Sequence, residues 1–339
     1  MVFAVSFPKY LVLEVGPDKP GDMGNLLNWI KPNLVVVTRL PEISVHVEHY
    51  KSPEEVSKEE SLPALVLTRE GILILNDDDE KVVSLRKNFA GKVLTYGLTP
   101  RADINALSEE IIYGVVDGRR VPTGMRFFVN YGNNKVQFEI LGAVGIAHIY
   151  AILGGIATAV SLGGKLENLV KAFNDYEIPR GRMCIIPGIK GVTIVDDSYN
   201  SSPVAAEIAL QTLKRIEGKR KIAALGDMRE LGSYAKEEHQ KLGKLVADTA
   251  DVLITVGPLS KYTVEGALNN GLDEKNIYQF DDSQKAGKFL ETILREGDIV
   301  LAKGSQNTIF MERLVREVML HPEMAEKLLV RQEEEWQRK

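Results

Sequence analysis

Two regimes of hydrophobic patterning divide this chain. From Val192 onward, short continuous apolar runs recur between helical repeats, predicting strands at Val192–Asp196, Ile222–Leu225, Val252–Val256, Ile277–Phe280 and Asp298–Ala302. Helices are predicted between and after them, at Pro203–Glu217, Tyr234–Asp248, Ser260–Asn269, Ser283–Arg295 and Thr308–Leu320. Uninterrupted apolar runs suit strands buried on both faces, and their regular alternation with helices predicts a doubly wound, mostly parallel α/β sheet. The first half is less regular. Tyr10–Val15 (YLVLEV), Leu34–Thr38, Leu65–Leu67, Ile72–Leu75 and Val93–Tyr96 read as strands, and Asp22–Ile30 and Pro53–Ser61 as helices. The acidic run Asn76–Glu80 reads as a solvated helix start. Residues 105–141 alternate apolar and polar around turns at Asp117-Gly118 and Tyr131–Asn134, the pattern of a small antiparallel region.

Gly142–Gly164 holds no formally charged residue and is long enough to span a bilayer. Gly154-Gly155, His148 and the lack of basic or aromatic flanks predict a buried core helix instead. After a further helix at Leu166–Tyr176, the Pro179-containing segment Glu177–Gly181 reads as a linker and hinge. The domains expected are therefore 1–178 and 182–321, followed by a charged helical tail, Pro322–Lys339. Met1–Ser6 does not read as a complete domain start.

Composition narrows the function classes. A length of 339 residues accommodates two ordinary cores, and a net charge of −5 without a basic stripe argues against nucleic acid or an anionic membrane as partner. Cys184 is the only cysteine, so no internal disulfide can form; with no signal-peptide layout at the N-terminus, a cytoplasmic location is expected.

The candidate chemistry gathers in one stretch. The run VTIVD delivers Asp196 and Asp197 to a strand end, where Ser198, Tyr199 and Asn200 follow. Ser201-Ser202-Pro203 then supplies a serine cap and a first-turn proline for the next helix. The following strand, KIAAL, delivers Gly226-Asp227-Met228-Arg229-Glu230 to its C-terminal end. Two successive strands thus present acidic and polar side chains at one sheet edge, the edge where open α/β sheets bind ligands.

GRM (Gly181–Met183), DDSYNSSP (Asp196–Pro203), LGDMRELG (Leu225–Gly232) and LAKGS (Leu301–Ser305), in this order, resemble the Mur ligase family, in particular its D-alanyl-D-alanine-adding branch. The resemblance extends back, at lower fidelity, to about Leu11. It implies part of a central ATPase-type domain followed by a Rossmann-like C-terminal domain. It also implies ATP-dependent amide ligation, with ATP and Mg2+ as cofactors and a UDP-N-acetylmuramoyl tripeptide and D-alanyl-D-alanine as partners. Residue by residue, it carries over Arg182, Asp197, Tyr199 and Asn200 as nucleotide contacts and Asp227, Glu230, Lys303, Gly304 and Ser305 as substrate contacts. Arg182 and Lys303 become the catalytic residues, and Glu14 and His46 the metal ligands. Gln306 stands where the family has an arginine, Ala147 where it has a histidine and His148 where it often has an asparagine. That last difference suits a buried structural role for His148. Glu60, with Lys58 two residues away, falls where part of the family has a carbamylated lysine.

Such chemistry needs a phosphate cradle, normally a glycine-rich loop ending in Gly-Lys-Thr or Gly-Lys-Ser. No Gly-Lys pair in this sequence is followed by Ser or Thr. The resemblance puts the loop upstream of Met1, so the chain is expected to begin inside its ATPase domain and to be inactive alone. A separate chain supplying the P-loop is one expected partner. A catalytically dead remnant or partner subunit, and a polyglutamate-adding relative, remain as alternatives.

Overall fold

The computed structural model describes residues 8–173, 176–306 and 308–337. The reading of Met1–Ser6 lies outside them, as do Asn174 and Asp175 near the end of the helix expected to reach Tyr176; the described part is Leu166–Phe173. Two six-stranded sheets organise the described residues. The first runs β1 (Leu34–Val37), β2 (Ile72–Asn76), β3 (Lys92–Gly97), β4 (Ile104–Val116), β5 (Arg119–Tyr131) and β6 (Asn134–Leu141), in that spatial order. Pairing is parallel from β1 to β4 and antiparallel from β4 to β6. The second sheet contains β7 (Cys184–Pro187), β8 (Thr193–Asp197), β9 (Arg220–Gly226), β10 (Val252–Val256), β11 (Ile277–Phe280) and β12 (Asp298–Lys303), ordered β11-β10-β9-β12-β8-β7. Only β7 is antiparallel to its neighbour.

Strand periodicity explains why the second sheet carries helices on both faces. Along β9, Ala223 and Leu225 join one apolar cluster while Ile222 and Ala224 join the other; along β12, Ile299 and Leu301 alternate with Val300 and Ala302 in the same way. Side chains two apart share a face, so a strand apolar at every position must be covered twice. The helices Pro203–Arg215 and Ala235–Ala247 cover one face, and Ser283–Ile293 and Met311–Val318 the other. The chain crosses the sheet in one direction from β7 to β11 and then reverses to place β12 between β8 and β9, so the helices that follow β8 and β9 lie on one face and the helix that follows β12 on the other.

Several expectations need correcting. Tyr10–Val15 forms no strand and stays exposed, Val12 at 87%; a continuous apolar run becomes a strand only beside a ladder partner, and it pairs with none of the described strands. Leu65–Leu67 is no strand either, because the helix starting at Pro53 continues through Leu65. The short edge strand β7 carries too few residues to show a period. The uncharged Gly142–Gly164 segment forms the helix Ile146–Ser161, packed in the core, and among the described residues no helix is long and apolar enough to cross a membrane. The Asn76–Glu80 run is not merely solvated. Asp78 accepts from Leu98 N and Thr99 N and from the Tyr150 hydroxyl, while Asp79 caps the helix Glu80–Ser84 and accepts from Leu40 N.

The tail is not one helix. After single turns at Pro322–Met324 and Ala325–Leu328, Leu329, Val330 and Arg331 are buried before the last turn, Glu334–Gln337.

The two halves are also packed together, rather than joined only by a hinge. One apolar cluster contains Ile74, Tyr96 and Ile152 of the first half and Val195, Leu210 and Leu225 of the second. The β4–β5 arm adds polar contacts: the Tyr113 hydroxyl accepts from Glu217 N at 2.9 Å and Arg120 pairs with Glu217 at 3.1 Å. Ala143 and Cys184 form a β-bridge between the halves.

Candidate active site

The sheet edge predicted from the strand ends is assembled as one cluster. Strand β8 ends on Asp197 and β12 on Lys303, whose ammonium meets Asp197 Oδ2 at 2.6 Å and donates to Asn200 O at 2.9 Å. Asp197 Oδ1 accepts from Met183 N at 3.2 Å. Both charges are withdrawn from water, with side-chain exposures of 1% for Lys303 and 9% for Asp197. Lys303 therefore neutralises Asp197 and ties down the loop after β8. It does not project into an open cleft.

Asn200 reinforces the loop, its Oδ1 accepting from Ser201 N at 2.8 Å and from Gln306 N at 3.2 Å. Ser305 joins all three strand ends: its N donates to Asp227 O, its hydroxyl donates to Ser201 O at 3.2 Å, and its Oγ accepts from Arg229 N at 3.0 Å. Strands β9 and β12 approach so closely here that a Cβ on Gly304 would lie 2.7 Å from Met311 Cγ and 3.2 Å from Gly226 Cα. Glycine at 304 is a packing requirement.

Tyr199 and Arg182 form the exposed part. The Arg182 guanidinium lies over the Tyr199 ring, 4.1 Å from its centroid, and Tyr199 N donates to Gly181 O at 3.1 Å. An aromatic face beneath a guanidinium fork is suited to a base or ribose beside a phosphate. His148, buried in the Ile146–Ser161 helix, donates through Nε2–H to Arg182 O at 2.8 Å. Burial holds its pKa below the ordinary histidine value, so the neutral ring ties the first half to the start of the second.

The remaining predicted side chains point away from this cluster, although the Asp227 carbonyl takes part in it. Asp227 is buried and accepts from Leu259 N and Ser260 N at 3.2 and 2.7 Å, anchoring the turn before the helix Lys261–Asn269. Burial raises its pKa. Behind it, the buried ring of His239 accepts from Met228 N at 3.0 Å and donates to Ala235 O at 2.6 Å, so the neutral tautomer holds the LGDMRELG turn. No local sequence signal pointed to His239. Glu230, at a positive φ of 64°, reaches across to His46 Nδ1 at 2.9 Å, and His46 Nε2 lies 3.4 Å from Asp18. His46 is thus held between two carboxylates, one from each half, whereas Glu14 is exposed on irregular backbone. Among the described residues no three His, Cys, Asp or Glu side chains converge to hold a metal ion. Neither Glu14 nor His46, the expected metal ligands, belongs to such a group of three. Glu60 is half-buried and accepts from Ser44 Oγ at 3.3 Å, while Lys58 is exposed; burial pushes the Glu60 pKa up to about 6.

Asp196 is the buried carboxyl beneath the cluster. Its Oδ1 accepts from Ser198 N at 3.1 Å, its Oδ2 has no hydrogen-bond partner among the described residues, and burial pushes its pKa from 3.8 up to about 7. A carboxyl whose folded pKa lies above its unfolded value keeps its proton in the native state across that interval. Its stabilisation is complete below about pH 4 and is lost as pH rises towards 7. Asp196→Asn is expected to flatten this slope in urea unfolding curves recorded from pH 4 to 7; Glu60 and Asp227, shifted in the same direction, and the buried His148 and His239, shifted down and so opposing them, set what slope remains. An unchanged slope would show that Asp196 ionises normally.

Two family models match the sequence. The Mur ligase middle domain matches residues 3–159, and the Mur ligase glutamate ligase domain matches residues 181–306. The chain belongs to the Mur ligase family. Among its curated relatives, the UDP-N-acetylmuramoyl-tripeptide--D-alanyl-D-alanine ligase of Bacillus subtilis is 25% identical over 313 residues, covering 92% of this chain. The chain spans 64% of that relative's length. Among solved structures, MurF from Acinetobacter baumannii matches 89% of this chain and 63% of its own, with a TM-score of 0.75 and 21% identity. MurF ligase from Thermotoga maritima in complex with ADP matches 91% and 66%, with a TM-score of 0.71 and 23% identity. The first sheet, β1 to β6, lies within the residues matched by the middle-domain model, and the second, β7 to β12, within those matched by the glutamate ligase domain model.

Proposed function

We propose that this chain carries the nucleotide and amine side of an ATP-dependent amide ligase of peptidoglycan precursor synthesis, acting in the cytoplasm. Its reaction would join D-alanyl-D-alanine to a UDP-N-acetylmuramoyl tripeptide. The observation that carries the reading is the convergence of GRM, DDSYNSSP, LGDMRELG and LAKGS on one sheet edge, at the ends of β8, β9 and β12. Named relatives bearing that activity, and an ADP complex among the fold matches, support it.

ATP would supply the phosphoryl group that activates the tripeptide carboxylate. The residues of this chain divide the remaining work. Tyr199 offers a ring face and Arg182 a planar fork for phosphate oxygens. Asp197, Lys303, Asn200 and Ser305 hold the loop that presents them, and Asp227 shapes the neighbouring turn where the incoming amine is expected. Mg2+ would be held mainly by phosphate oxygens and water, with at most one or two carboxylates from the protein.

Arg182→Ala tests this assignment. Arg182 is exposed, so its loss should leave the melting temperature nearly unchanged while lowering turnover in the ligase reaction at least about tenfold, some 1.4 kcal/mol of transition-state stabilisation. The assay supplies a Gly-Lys-Thr phosphate-binding segment alongside this chain. Turnover equal to wild type would remove Arg182 from the site.

A further inference from the structure

The loop carrying Tyr199 is held from behind by a residue outside both family matches. Arg331 donates from Nη2 to Ser198 O at 2.6 Å and from Nη1 to Tyr199 O at 2.9 Å. Its Nε and Nη2 meet Glu312 Oε1 and Oε2 at 3.0 and 2.7 Å, with side-chain exposures of 7% for Arg331 and 4% for Glu312. Glu312 stands in the first turn of the Met311–Val318 helix, which follows β12. The adjoining Val330 packs against Gly181, where a Cβ would lie 3.1 Å from it. The Mur ligase glutamate ligase match ends at residue 306.

A buried ion pair is weak grounds for stability, because withdrawing both charges from water offsets most of their attraction, and apolar replacements are often neutral or better. What an apolar pair cannot supply is the remainder of the guanidinium fork. Here it ends on two successive carbonyls, which a planar group with several fixed donors can engage together and a single ammonium cannot match in the same geometry. Those carbonyls belong to the residues that bring Tyr199 under Arg182.

We propose that Arg331 is a positioning residue of the nucleotide site: anchored by Glu312, it fixes the Ser198 and Tyr199 carbonyls and thereby sets the Tyr199 ring against Arg182. This rests on the reading of Tyr199 and Arg182 as nucleotide contacts. The tail is then a working part of the site although it touches no substrate.

Three proteins test the proposal: wild type, R331K and the double variant R331M/E312L, which removes both buried charges and so avoids stranding one. Amide hydrogen exchange is measured at residues 198–201 without nucleotide, and ADP binding by saturation-transfer NMR at millimolar ADP. In the double variant, exchange at Tyr199 N and Ser201 N should accelerate at least about tenfold and the ADP Kd should rise by a similar factor, the effect of losing a charge-assisted hydrogen bond. Amides of β9 and β10 should keep their wild-type rates. R331K, which retains the charge and the packing, should fall between the two. Unchanged exchange at 198–201 would overturn the proposal. Accelerated exchange with unaltered ADP affinity would show that Arg331 holds the loop without serving the nucleotide, which also overturns it. Failure of wild type to bind ADP would overturn the nucleotide reading itself, while the exchange data still decide whether Arg331 holds the loop.

Discussion

Asp197→Ala is expected to destabilise the protein by about 3–5 kcal/mol, because it strands a buried lysine. Lys303 is 1% exposed and its ammonium is satisfied by Asp197 Oδ2 and Asn200 O. Removing the carboxylate leaves that charge beside a single carbonyl in a region that excludes water. It also deprives Met183 N of its acceptor. From the sequence alone, a ligand-contacting Asp197 should lie in a cleft, and its loss should barely affect folding. The structure reverses that expectation. The double variant Asp197→Leu/Lys303→Met, which removes both charges and keeps volume, should recover most of the loss in urea unfolding, whereas turnover in the assay supplied with the Gly-Lys-Thr segment should remain below wild type because the loop has lost its anchor. An Asp197→Ala protein within about 0.5 kcal/mol of wild type would mean that Lys303 readily finds another partner or sheds its proton.

The second sheet was legible because its strands are apolar at nearly every position and its helices keep one face. Ile222-Ala223-Ala224-Leu225 feeds both cores, so the strand could be recognised without knowing its neighbours. The site residues in DDSYNSSP and LAKGS were legible as strand-end chemistry at one edge. Their pairing was not, since nothing local indicates that Lys303 turns inward to Asp197. The misses share a cause. Tyr10–Val15 has the composition of a strand, but a strand is defined by its partner. Asp78 and Asp79 looked solvated, but they cap and bridge segments distant in sequence. Arg331 lies among Gln332 and three glutamates, a run that reads as exposed, and only the fold brings it to Ser198 and Glu312. Burial of a charge is a tertiary fact.

Residues 1–339 by themselves are expected to release no phosphate from ATP. Phosphoryl transfer depends on donors fixed in advance around the β- and γ-phosphates, usually a glycine-rich loop with its Lys and Ser or Thr. Losing one preorganised donor typically costs about 10²–10³ in rate, and this sequence contains no Gly-Lys-Ser or Gly-Lys-Thr to provide the set. The Arg182–Tyr199 pair offers one fork and one ring face, so nucleotide binding should be weak and turnover absent. The decisive measurement is phosphate release with ATP, magnesium, the UDP-N-acetylmuramoyl tripeptide and D-alanyl-D-alanine, with and without an added segment bearing a Gly-Lys-Thr loop. No release is expected from residues 1–339 alone, and release requiring both the tripeptide and D-alanyl-D-alanine is expected once that segment is present. Robust substrate-dependent release by residues 1–339 alone, or release indifferent to D-alanyl-D-alanine, would contradict this expectation.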